Sequence, residues 1–155
     1  MMEVERTIVL NHGLTEVVDF LADFSNAELW DPGTVSCRPL GHGGEPAVGS
    51  EWLNVSEFRG RRTQLRYRLI RRDRHRLIFE GRNRTATTTD DMRFEESPTG
   101  TVLSYRARLT FHGLARLAAP LLRREFQRLG DEVAASLPNA LDRALTRPEP
   151  GEGEA

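Results

Sequence analysis

The order of the parts constrains this chain most. Strand-like, alternating segments occupy the sequence from Val4 to Phe111, and one long amphipathic helix follows. In that helix Leu122, Phe126, Leu129, Val133, Leu137, Ala140 and Ala144 recur at steps of four, three, four, four, three and four, which keeps them on one narrow face. Arg124, Glu125, Arg128, Asp131, Glu132, Asp142 and Arg143 cover the opposite face. A helix with one apolar side must bury that side, and the preceding strands have to supply the surface that receives it. A single helix gripped by a curved sheet encloses volume, which points toward binding something.

The strands can be read one by one. Val4 to Leu10 is rich in β-branched residues and ends at Asn11-His12-Gly13. A short helix follows with Val17, Phe20, Leu21 and Phe24 on one face, then a second short turn from Ser25 to Leu29 with Ser25 as its cap. Trp30-Asp31-Pro32-Gly33 stops the helix, because Pro disfavours helical geometry in the residue before it and Gly accepts positive φ. Further strands are predicted at Thr34 to Leu40, Val48 to Phe58, Arg62 to Arg72, Leu77 to Glu80, Ala86 to Glu95 and Thr101 to His112. Gly41 to Pro46 reads as a flexible loop, and Ser97-Pro98-Thr99-Gly100 as a hairpin turn. Short connections and two-faced alternation predict an antiparallel meander with one wet face.

Two prolines test the closing helix. Leu114, Leu117 and Leu121 lie on a face rotated away from the later stripe, so Leu114 to Ala119 reads as a separate turn, with Pro120 in the first turn of the main helix where its missing N–H is harmless. Pro138 falls inside the helix. An interior proline costs about 3 kcal/mol, whereas burial of each large side chain from Leu122 to Leu137 contributes about 1.5–3 kcal/mol, so packing is expected to hold together a helix bent near Ala134.

A length of 155 residues fits one domain, expected over residues 1–147, with a disordered acidic tail over 148–155. The formal net charge is -1, and all 22 basic residues are arginine. The absence of lysine excludes Schiff-base and phosphate-loop lysine chemistry. The one cysteine, Cys37, excludes an internal disulfide and fits a reducing, cytoplasmic setting. No signal-like start and no run of about 20 apolar residues is seen, so neither secretion nor integral membrane association is expected.

One strand, two short helices, six more antiparallel strands and a long terminal helix resemble the helix-grip fold of the START-like, or SRPBCC, superfamily, and more narrowly its polyketide cyclase/dehydrase group. The local matches are Val17 and Phe20, Trp30-Asp31-Pro32-Gly33, Val48-Gly49-Ser50, Gly100-Thr101-Val102-Leu103 and the terminal helix, together spanning Val4 to Leu145. The resemblance implies an α+β fold, a seven-stranded curved antiparallel sheet wrapped around the C-terminal helix. It also implies an elongated apolar cavity between them that takes lipids, polyketides or other hydrophobic molecules. Pro138 departs from the pattern, sitting where that helix normally runs unbroken.

Strand parity collects Thr63, Leu65, Tyr67, Leu69, Leu77, Phe79, Thr88, Asp90, Met92, Phe94, Leu103, Tyr105, Ala107 and Leu109 on the concave face, opposite Leu122, Phe126, Leu129 and Val133. This is the composition of a small-molecule pocket, and equally of a filled core; periodicity does not separate the two. The expected ligand-binding set is Trp52, Leu65, Tyr67, Leu69, Phe79, Thr88, Asp90, Met92, Phe94, Tyr105, Ala107, Leu122, Phe126, Leu129 and Val133, with the direction of Trp52 left open because Trp52 and Phe58 compete with Leu53 and Val55 for the inward face. Trp30 is expected to pack under the first helices.

Asp90, Tyr67 and Tyr105 are the candidates for chemistry. A carboxylate on an apolar face has its pKa raised and can act as a general acid or base. The plainer alternative places Asp90 near a strand end, in water, or capping a turn beside Asp91. The tyrosines can orient a ligand carbonyl or simply bond to backbone. Arginines crowd the stretch from Arg59 to Arg84, a footprint for an anionic partner or a solvated outer face. Arg66 and Arg68 fall on the outer face by parity, and no sheet arginine is expected to point inward. His12, His42, His75 and His112 lie on separate turns or strand ends without ligand spacing, so no metal and no cofactor is expected.

Three functions fit these readings. The first is binding of a hydrophobic small molecule without chemistry. The second is a polyketide aromatase/cyclase or dehydratase working through Asp90 with Tyr67 or Tyr105. The third is an interaction module using an arginine-rich sheet face; a nucleic-acid partner is not expected.

Overall fold

The protein is described by a computed structural model covering residues 1–41 and 44–145, so His42 and the tail expected over 148–155 lie outside the described residues. Seven strands form one antiparallel sheet: β1 (Met2–Leu10), β2 (Thr34–Leu40), β3 (Glu51–Phe58), β4 (Arg61–Asp73), β5 (Arg76–Arg82), β6 (Ala86–Ser97) and β7 (Gly100–Phe111), in the order β1-β7-β6-β5-β4-β3-β2. Helices α1 (Leu14–Ala22) and α2 (Ala27–Trp30) lie between β1 and β2, and the long helix α3 (Ala119–Leu145) follows β7.

Hairpin chemistry fixes the meander. Phe58 pairs with Arg61 across the two-residue turn Arg59-Gly60, in which both residues have positive φ (55° and 78°), the geometry that matches the twist of adjoining strands. At the opposite end Ser97 pairs with Gly100 across Pro98-Thr99. Strand β3 begins at Glu51 rather than Val48. Ala47, Val48 and Gly49 form a turn in which the Ala47 N–H donates to Ser50 Oγ (2.9 Å) and Gly49 takes a φ of 101°, leaving Val48 exposed. The cap between α1 and α2 is Asp23, not Ser25: the Asp23 carboxylate accepts from the Ser25 N–H (3.1 Å) and hydroxyl (2.7 Å).

Gly113–Ala118 is a separate 3-10 turn, and α3 starts at Ala119 with Pro120 in its first turn. The helix continues across Pro138. Leu137, Ala140 and Leu141 are buried on either side of the proline, so packing holds the segment helical despite the missing N–H. Close approach to the sheet requires Gly130, where a Cβ would stand 2.6 Å from Val4 Cγ2.

The interior has a packed half and a hollow half. In the packed half Leu69, Leu77, Phe79, Met92, Phe94 and Leu103 from the sheet meet Leu21, Phe24, Leu137 and Leu141, all buried. Phe24 is its hub, with ring centroids 4.4 Å from Tyr67, 4.5 Å from Phe79, 6.0 Å from Trp30 and 6.1 Å from Trp52. Trp52 therefore faces inward, stacked edge-on to Phe79 at 5.8 Å. Toward the other end of the same strands the side chains shrink and α3 no longer fills the space.

Candidate functional site

That space is a cavity of about 660 Å³ between the concave face of the sheet and the first turns of α3, within the size range of pockets that take drug-sized ligands. From the expected set, Leu65, Tyr67, Thr88, Asp90, Tyr105, Ala107, Leu122, Phe126, Leu129 and Val133 line it. Trp52, Leu69, Phe79, Met92 and Phe94 share the inward parity but not the cavity. They lie one or two residue pairs further along their strands, inside the packed half, where large side chains fill the space between sheet and helices. Parity places a side chain on a face; it does not say whether anything stands opposite.

A hydrogen-bonded cluster of polar groups stands at the inner end of the cavity. Asp90 is only 7% exposed and sits in the middle of β6, paired with Phe79 on one side and Ala107 on the other, far from either strand end. The Tyr105 hydroxyl donates to Asp90 Oδ1 at 3.0 Å. Burial pushes the Asp90 carboxyl up to about 7, against the Tyr105 hydrogen bond, which pulls it down, and with the nearby Asp31 carboxylate adding to the rise. Burial likewise raises both tyrosine hydroxyls well above their ordinary value, reinforced by the charge of Asp90, so both are protonated at neutral pH. Thr88 Oγ1 donates to the Tyr67 hydroxyl at 3.1 Å. The Tyr67 ring lies against Gly81, where any Cβ would come within 2.7 Å of it, so this glycine makes room for the phenol.

Asp31 was visible in the sequence only as part of a helix-stopping turn, yet it lines the cavity. Its Oδ1 accepts from the Gly33 N–H (2.9 Å) and its Oδ2 from the Thr34 hydroxyl (3.0 Å), the Asx-turn use of an Asp two residues before Gly. Burial raises its pKa, the Gly33 and Thr34 bonds oppose that, and Glu132 adds to the rise. The signal was available: an Asp held by its own turn next to a buried Trp is aimed rather than free.

The expectation that no sheet arginine points inward fails at Arg6. It shares the parity of Val4 and Ile8 on β1 and lines the cavity wall. Arg6 Nε donates to Asp131 Oδ1 at 2.9 Å, which ties the edge strand to α3 and holds the guanidinium in place. Arg59 and Arg61 stand at the opening. Arg66, by contrast, is on the outer face as expected, and the arginines of β4 and β5 mostly meet carboxylates: Arg66 with Glu51 (3.2 Å), Arg72 with Asp19 (2.9 Å), and Arg76 with both oxygens of Asp91 (3.0 and 2.8 Å).

The histidines serve separate structural contacts. His12 is buried with Nε2 2.8 Å from Asp142 Oδ1, His75 Nδ1 lies 2.9 Å from the Phe94 carbonyl, and His112 Nε2 lies 2.7 Å from Thr87 Oγ1. No group of three or more metal-binding side chains occurs among the described residues. Cys37 is buried, and burial pushes its thiol up to about 12, so it is no nucleophile at neutral pH. No helix among the described residues is long and apolar enough to cross a membrane.

Comparison with known proteins agrees with this architecture. Among solved structures the fold is similar to a START superfamily protein from Mycobacterium smegmatis (TM-score 0.75, 12% identity, covering 93% of this chain and 99% of the other). It is also similar to the protein TTHA0849 from Thermus thermophilus (TM-score 0.74, 14% identity, 93% and 98%). The Zhui aromatase/cyclase from Streptomyces sp. R1128 matches with a TM-score of 0.73 at 14% identity, covering 97% of each chain. At these identities the likeness is one of fold. No curated protein sequence matches the chain. The family model described as polyketide cyclase / dehydrase and lipid transport matches residues 1–142, and with nearly the whole chain so matched, on a helix-grip fold with an interior cavity, this protein belongs to that family.

Proposed function

We propose that this protein binds a hydrophobic small molecule, a lipid, polyketide or aromatic metabolite, in the cavity between the sheet and α3. The observation that carries this reading is the cavity itself: about 660 Å³, walled chiefly by apolar side chains, with Asp31, Tyr67, Thr88, Asp90 and Tyr105 clustered at the inner end, Arg6 on the wall, and Arg59 and Arg61 at the opening. Such a site takes an apolar body and orients it by one polar end. Native mass spectrometry against fatty acids, polyketides and aromatic metabolites tests it: a stoichiometric complex that Leu65→Trp abolishes is expected. Absence of uptake across all three classes overturns it. A reducing, cytoplasmic setting is supported by the single buried Cys37.

A second reading, an aromatase/cyclase or dehydratase in the same cavity, is favoured by one specific observation. Asp90 titrates near neutrality, bonded to a protonated Tyr105, so it can both take a proton from an acidic carbon and return one to a leaving hydroxyl. Arg6, held on the same wall by its ion pair with Asp131, offers guanidinium N–H groups to a developing enolate, with its charge partly offset by that carboxylate. Asp90→Asn is expected to abolish turnover of a bound poly-β-ketone while leaving its binding within a few fold. Unchanged turnover overturns this reading and leaves the first intact. The third reading, an arginine-rich sheet face as an interaction module, loses support because the outer-face arginines Arg62, Arg66, Arg76 and Arg82 each pair with a carboxylate.

A further inference from the structure

We infer that the open end of the cavity is a docking surface for an anionic lipid bilayer, through which an apolar ligand enters and leaves; this rests on the cavity-binding reading. Apart from the terminal Met1, the most exposed large apolar residues are Leu114 (87%), Leu117 (76%) and Leu121 (73%). They recur at steps of three and four across the 3-10 turn and the first turn of α3, so they stand together, whereas the other exposed apolar residues, Val9, Leu29, Val35, Val48 and Ile70, are scattered singly. Ala118 and Leu122, interleaved with these leucines, line the cavity. The stripe is therefore the outer lip of the opening.

Charge decides what that lip meets. The Arg59-Gly60 hairpin, the turn between β5 and β6, and the end of β7 all lie at this end of the sheet: Asn83 Nδ2 donates to the Gln64 carbonyl, and the His112 N–H donates to the Thr85 carbonyl. The hairpin, the β5–β6 turn, the 3-10 turn and the start of α3 carry Arg59, Arg61, Arg84, Arg116 and Arg123, all exposed and none in an ion pair among the described residues. Glu57 is paired with Arg62, and the first turns of α3 set a single carboxylate, Glu125, against Arg123, Arg124 and Arg128. In a chain of formal net charge -1 this is a local concentration of unmatched positive charge. Protruding leucines ringed by arginines from four separate segments fit a surface that is apolar below and anionic above and that makes no demand on shape, which is a bilayer carrying anionic headgroups.

Co-sedimentation of the full chain with phosphatidylglycerol and phosphatidylcholine vesicles tests the proposal. Binding to phosphatidylglycerol that weakens as salt rises is expected, with little binding to phosphatidylcholine. Leu114→Ser/Leu117→Ser/Leu121→Ser is expected to cut partitioning at least about tenfold, and Arg84→Gln/Arg116→Gln/Arg123→Gln about fivefold per residue. Both sets are solvent-exposed, and thermal unfolding verifies that each variant remains folded. Absence of phosphatidylglycerol binding at low salt, binding unmoved by the leucine variants, or a leucine-dependent dimer in place of vesicle binding overturns the proposal. Uptake of fluorescent fatty-acid, polyketide and aromatic probes in the absence of vesicles is read in parallel: uptake retained without docking defeats the docking surface alone, whereas absence of uptake of all three in the unaltered chain defeats the cavity reading.

Discussion

The two halves of the interior are built by the same strands with the same alternation, yet one is solid and the other hollow. Along β6, Met92 and Phe94 are fully buried in the packed half, while Ala86 and Thr88, a few residues earlier on the same face, line the cavity. Along β4 the change runs from Leu69 to Thr63. The difference has two sources: side-chain volume, which falls toward the open end along β4 and β6, and the opposing elements. Phe24, Trp30 and the Leu137–Leu141 segment stand over the packed half, whereas Leu122, Phe126, Leu129 and Val133 reach over the hollow one without filling it. Stability and binding are thereby separated along one sheet, with Tyr67, Asp90 and Tyr105 at the boundary. There the packed half holds the rings rigidly and the hollow half leaves their polar ends facing the cavity.

This division can be broken most forcefully in the packed half. Phe79→Ala removes a fully buried ring in contact with Phe24 and Trp52 and is expected to cost about 3–5 kcal/mol, measured as a fall in the urea midpoint at unchanged slope. A smaller loss would mean that the packed half relaxes into the void.

At the boundary, the elevated Asp90 pKa makes stability depend on pH. The folded protein holds the Asp90 proton up to about 7, whereas the unfolded chain releases it near 4, so between these values the native state binds more protons and stability falls as pH rises. The full effect above pH 7 is up to about 4 kcal/mol. Asp90→Asn is expected to flatten that slope between pH 4 and 7; a wild-type curve without it would place Asp90 in contact with bulk water.

In the hollow half, Leu65→Trp adds volume where there is space, so stability is expected to change by no more than about 1 kcal/mol while ligand uptake is lost. Calorimetric unfolding and fatty-acid uptake on the same sample check both sides. The smallest effect is on the outer face: Arg66→Ala breaks an exposed pair with Glu51 and is expected to shift stability by about 0.5 kcal/mol or less by chemical denaturation.

Much of this molecule was readable in advance because its periodicities are local. β2 occupies the predicted residues, Thr34–Leu40, and the other strands deviate by a few residues where turn chemistry intervenes, as at Val48-Gly49, where a positive φ ends the extended run early. The helix stripe was legible for the same reason, although Leu141, fully buried beside Leu137, falls outside the strict spacing because neighbours on two sides widen the buried face. The candidate site was legible only as a face. Asp31 and Arg6 enter the cavity from a turn and an edge strand, and their roles depend on Gly33, Thr34 and Asp131, one of them more than a hundred residues away.

By itself the sequence determined which side chains face inward and that one long helix must cover them, because alternation of two and recurrence near three and a half are properties of neighbouring residues. Only the tertiary structure decided where that interior is solid, where it is empty, and that Asp90 shares the boundary with Asp31 and Tyr105. Those outcomes depend on what stands opposite each residue across the fold, and distance through space leaves no mark in a local pattern.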